Sequence, residues 1–135
     1  MNILRFCLLA AGCIQVAIVL ANFYLPGKLR YHENLTRVAP IIRQVFLVHA
    51  SYIVGIVLLF ALVTFGFSGE LTSGRGLGRF LAAAMCIFWL IRVPVQMFYY
   101  DASLRRANRL GDAAMFAALA FLAATYGIAA IAPAW

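Results

Sequence analysis

Four apolar runs, each close to the length needed to cross a bilayer, constrain this chain more than any other feature. They cover about residues 3–25, 45–67, 80–100 and 113–131. A helix rising ~1.5 Å per residue needs roughly 20 apolar residues to cross the hydrocarbon core. The third run is interrupted only by Arg92 and Gln96. Of the 135 residues, 66% are hydrophobic and 11% are charged, so a water-soluble fold of this size would have too little polar surface to cover itself. The runs together predict an all-α integral membrane protein. The connections between them are short, so neighbouring helices should run antiparallel as a four-helix transmembrane bundle. The expected organisation is a single domain over residues 1–135.

The net charge of +7 does not point to nucleic acid, because the basic residues flank the apolar runs. Lys28, Arg30, Arg37 and Arg43 lie in or beside the first connection, and Arg105, Arg106 and Arg109 lie in the third. Arg5, Arg75 and Arg79 belong to the other side. Basic loops stay in the cytoplasm, which predicts both termini outside, in a bacterial cytoplasmic (inner) membrane. Membrane lipids are the first expected partner, through those basic loops. Cleavage after "VLA", Val19 to Ala21, would put the basic first connection outside, so the first run is expected to stay uncleaved. "AAGC", Ala10 to Cys13, is followed by further apolar residues, unlike a lipoprotein site.

Punctuation along the chain follows backbone chemistry. Pro26 and Gly27 are expected to end the first helix. Pro40 suits a first helical turn, where its missing N–H is no loss. Ser68 to Gly78 is rich in glycine and serine and reads as a flexible turn. Asp112 is placed to cap the fourth helix. On that helix Ala113, Ala117, Ala120, Ala124 and Gly127 form a stripe of small residues. Such a stripe allows close helix packing in lipid, within the bundle or against a second copy or a partner subunit.

Polar residues inside the apolar runs are the candidate functional groups. Trp89, Arg92, Gln96 and Tyr99 fall within a face about 80° wide at ~100° per residue. Pro94 cannot donate to the Leu90 carbonyl, which predicts a kink and a free acceptor near the guanidinium. Gln15 and Asn22 share a face of the first helix, and Gln44, Ser51 and Gly55 share one on the second. His49 points elsewhere on the second helix.

The charge-derived topology puts Asn22, Gln44, His49, Arg92 and Gln96 in the cytoplasmic half. That level suggests a shared pocket open to the cytoplasm; an interhelical hydrogen-bond network is the structural alternative. Arg92 is then either a snorkelling anchor, ~12 Å from the end of its span, or a fixed charge that holds a phosphate or carboxylate. Asp112 is expected to reach it only indirectly.

No catalytic residue, metal site or cofactor is assigned. Cys7, Cys13 and Cys86 show no metal or redox spacing, and no phosphate loop or HExxH is present. The favoured function is a non-enzymatic membrane protein that binds an anionic lipid or small anion, or an accessory subunit of a membrane complex. The alternative is a membrane enzyme or redox/haem-binding subunit using His49.

Overall fold

The computed structural model describes residues 3–28, 31–99 and 106–133, without the side chains of residues 25, 26, 28, 31, 32 and 99. Among the described residues every regular element is helical. In chain order these are α1 (Ile3–Lys28), α2 (Tyr31–Leu35), α3 (Pro40–Gly66), α4 (Ser68–Thr72), α5 (Gly76–Pro94), a π-helical turn (Val95–Tyr99) and α6 (Arg109–Ile131). Four segments, Ile3–Tyr24, Pro40–Gly66, Gly76–Phe98 and Arg109–Ile131, are long and apolar enough to cross a membrane.

The second of these segments begins at Pro40, ahead of the apolar run itself. Proline at the first helical position lacks an N–H that would have no partner there, so the helix starts through Arg43 and Gln44. The segment expected to be a flexible turn instead contains α4. Its Leu71 is fully buried, and this tertiary burial orders a sequence whose local composition favours a loop. Gly74 and Gly76 then turn the chain in the left-handed region, at φ 66° and 42°. Two residues later, a Cβ on Gly78 would stand 2.0 Å from the Glu70 carbonyl oxygen, so this close approach of α5 to α4 requires glycine.

The start of α6 corrects the expected cap. Asn108 is the N-cap, with its side chain accepting from Gly111 N–H at 3.1 Å. Asp112 lies inside the first turn. At Pro94 the expected disruption takes a definite form: the ladder loses the proline N–H and the chain widens into the π turn.

Helix α1 packs on α3 and α6, and α5 packs on α6. The register is set by specific pairs. Arg5 Nε donates to Ser68 Oγ at 3.3 Å, and the Phe65 ring lies over Gly12, leaving no room for a Cβ there. On the other pair, Arg79 Nη2 donates to the Ala132 carbonyl at 2.9 Å, and Cys86 Sγ lies against Gly127. One cluster of buried side chains joins the helices, including Leu8, Val19, Val57, Met85, Trp89, Leu122 and Tyr126. Outside it, large apolar side chains are exposed on every long helix, with Phe23 at 74%, Tyr52 at 70%, Phe80 at 68% and Ile131 at 80%.

Candidate functional site

The first polar group of interest crosses the core. Gln15 Nε2 donates to the Tyr126 hydroxyl, and Tyr126 Oη and Thr64 Oγ1 are 2.6 Å apart. Thr64 also donates to the Phe60 carbonyl at 2.7 Å. With that donation made, the Tyr126 hydroxyl is the donor to Thr64 and Gln15 donates to Tyr126, so each proton has one acceptor. All three side chains are buried, and together they tie α1, α3 and α6 at one level. Gln15 Oε1 has no hydrogen-bond partner among the described residues. Periodicity marked Gln15 as an intramembrane polar residue, but Thr64 and Tyr126 gave no signal of their own in an apolar run.

The second group is at the other end of α5, around the π turn. Gln96 Nε2 donates to Asp112 Oδ1 at 2.9 Å, tying the π turn to the first turn of α6. A cavity of roughly 210 Å³ opens beside this bond, lined by Gln96, Met97, Asp112, Ala113 and Phe116. Arg92 is half-buried one helical turn before Gln96. Asp112 thus bonds directly to Gln96 of the π turn.

Trp89 lies deeper, at 2% exposure, with its ring edge-on to Phe88 at 5.1 Å between centroids. Phe88 in turn packs edge-on against Phe60 of α3 at 5.1 Å. The indole N–H of Trp89 has no hydrogen-bond partner among the described residues. The Tyr99 side chain lies outside the described residues.

The remaining residues of the expected pocket do not join Arg92. Asn22 is exposed and donates to the Ile18 carbonyl of its own helix at 2.8 Å. Gln44 is exposed on α3. His49 is also exposed; a carbonyl only accepts, so its Nδ1–H donates to Val45 O at 2.8 Å and Nε2 is left as the ring's acceptor. Each of these polar groups is therefore on the outside of α1 or α3 rather than in a common interior. The small stripe of α6 is likewise not its interior face. Ala113, Ala117 and Ala124 are exposed and Ala120 and Gly127 half-buried, while Leu119, Leu122, Tyr126 and Ala129 point inward.

Among the described residues no cluster of three histidine, cysteine or acidic side chains is placed to hold a metal. The Gln96 amide and the Asp112 carboxylate meet beside a small opening with apolar walls, four residues after Arg92 in the sequence. Comparisons with protein-family models, with curated proteins and with solved structures return no match to this chain.

Proposed function

We propose that the chain is an antiparallel four-helix bundle spanning a bacterial cytoplasmic membrane, with both termini outside. It acts as a binding protein that holds the anionic group of a lipid headgroup or small anion at Arg92. The seven basic residues of the first and third connections, against three on the other side, support this orientation. The exposed apolar side chains on all four long helices suit a lipid surface and would be a liability in water. In this orientation Arg92 and the opening beside Gln96 and Asp112 belong to the cytoplasmic half of the bundle.

The observation that carries the binding reading is a half-buried arginine within the apolar segment Gly76–Phe98, four residues before Gln96, which lines a small cavity with Asp112. A charge within a span is costly and is retained where it serves a ligand or a pathway. The test is native mass spectrometry of wild type, Arg92→Lys and Arg92→Leu purified in mild detergent. A bidentate headgroup contact predicts several-fold less retained phospholipid in Arg92→Lys and near-complete loss in Arg92→Leu. Unchanged retention with equal or higher stability in both variants would leave Arg92 as a snorkelling anchor.

A second reading, an accessory subunit of a membrane complex, is favoured by α3. Its outer face exposes Ser51, Tyr52 and Gly55 along a shallow groove between Leu47 and Leu59, and Gln44 is exposed earlier on the same helix; the Gln44 amide and the Tyr52 hydroxyl are polar groups that acyl chains cannot pair.

A further inference from the structure

We infer that the outer face of α3 is a docking surface for a second copy of this chain, with the two α3 helices parallel and Tyr52 of each copy donating to Ser51 of the other. This rests on the bilayer-spanning reading and names the partner for the α3 face.

The first half of α3 is left unpacked. The buried residues of the helix are Val57, Ala61 and Thr64, so no side chain before Val57 is buried. Tyr52 is 70% exposed there, ~18 Å from Pro40 and ~21 Å from Gly66 at ~1.5 Å per residue. Its hydroxyl has no hydrogen-bond partner among the described residues and is too deep to reach either headgroup layer. Acyl chains offer no acceptor, so the single chain leaves this donor unused. Ser51 beside it has the opposite need. Its proton goes to the Leu47 carbonyl at 2.9 Å, which leaves lone pairs on Oγ for a donor from outside the chain.

The helix places this donor and acceptor symmetrically. At ~100° per residue, Ser51 and Tyr52 lie about 50° to either side of a line that passes between Val48 and Gly55, and all four are exposed. A two-fold axis along the membrane normal sets that line against its own copy and keeps both copies in one orientation. It also sets the Tyr52 side of one helix against the Ser51 side of the other, so two hydrogen bonds form together. None of these four side chains is charged, so two copies meet there without like-charge repulsion.

Gly55 supports a close approach at the same level. Glycine destabilises a helix interior relative to alanine. A Cβ at Gly55 would meet nothing within 4 Å, so no contact inside the chain requires glycine. A neighbouring helix does, because a small residue lets two backbones come together in lipid. The alanines exposed on α6 carry no polar side-chain atom, and lipid covers them without cost.

The experiment is disulfide cross-linking in membranes, on the full chain with Cys7, Cys13 and Cys86 replaced by alanine. Val48→Cys in that background should give a covalent dimer on oxidation, whereas Ala117→Cys on the exposed face of α6 should not. Adding Gly55→Leu should abolish the Val48→Cys dimer and leave the thermal stability of the monomer unchanged, since the new side chain enters open space. Native mass spectrometry of wild type in mild detergent should show a dimer. Tyr52→Phe should weaken it roughly tenfold, because the axis removes two bonds together.

A monomer without cross-link overturns the inference and assigns the face to lipid. A Val48→Cys adduct to a different protein overturns it in favour of another subunit, and cross-linking at Ala117→Cys alone in favour of α6. A dimer unchanged by Gly55→Leu and Tyr52→Phe also overturns it. Alkaline extraction of the same membranes separates the two readings: a chain that stays in the membrane without cross-linking loses only the dimer, and a chain that is extracted loses the bilayer-spanning reading as well.

Discussion

At the scale of single residues, the buried chain Gln15–Tyr126–Thr64 is the interaction that most clearly specifies which helix meets which. Hydrogen bonds between helices in lipid contribute ~0.6 kcal/mol on average, with a maximum near 1.7. Tyr126→Phe removes the hydroxyl and leaves the Gln15 amide buried without an acceptor, so it should destabilise the fold by about 1–2 kcal/mol. Gln15→Leu removes a group that already has one unpaired atom, Oε1, and should be milder. The double variant should be more stable than Tyr126→Phe alone, because it no longer buries an unpaired amide. Denaturation in detergent across the four proteins checks this. A double variant as unstable as the sum of the two singles would show that the residues act independently.

At the scale of elements, Pro94 and the π turn position the candidate site. Pro94→Ala returns an N–H to the α5 ladder, so an α-helical course through 95–99 becomes available. The variant should be as stable as wild type or more so. It should nevertheless retain less phospholipid, because Gln96 and Met97 turn away from Asp112. Thermal denaturation and lipid counting on the same preparation separate the two effects; unchanged lipid would mean that the π turn does not shape the cavity.

The elements also show what could be read from the sequence. The four spans follow from length and hydropathy, which are local properties, and Pro40 marks a helix start from its own chemistry. Trp89 and Arg92 lie on one helix, whereas Gln96 falls in the π turn, which a regular spacing of ~100° per residue does not anticipate. Which face points inward was not legible. In lipid both the inside and the outside of a helix are apolar, so Gln44 and His49 could not be sorted from Gln15 by pattern. Thr64 and Tyr126 acquire meaning only through a partner 111 or 62 residues away. The Asn108 cap, the order in α4 and the part played by Asp112 similarly depend on contacts rather than composition.

At the scale of the whole molecule, the account depends on four crossings that put the Arg92 end of the bundle in the cytoplasm. The pairs Arg5–Ser68 and Arg79–Ala132 lie at one end, and Gln96–Asp112 lies at the other. Turning the molecule over would leave every internal contact intact but would expose the site to a different leaflet and a different supply of headgroups. Orientation is therefore the property that the internal geometry does not itself decide, and the basic residues of the first and third connections are the physical reason to choose one.

Paired reporters measure it directly: an enzyme active only in the cytoplasm and one active only outside, each fused after Trp135 and within the first connection. The account predicts outside activity after Trp135 and cytoplasmic activity in the first connection. Cytoplasmic activity after Trp135 would contradict it.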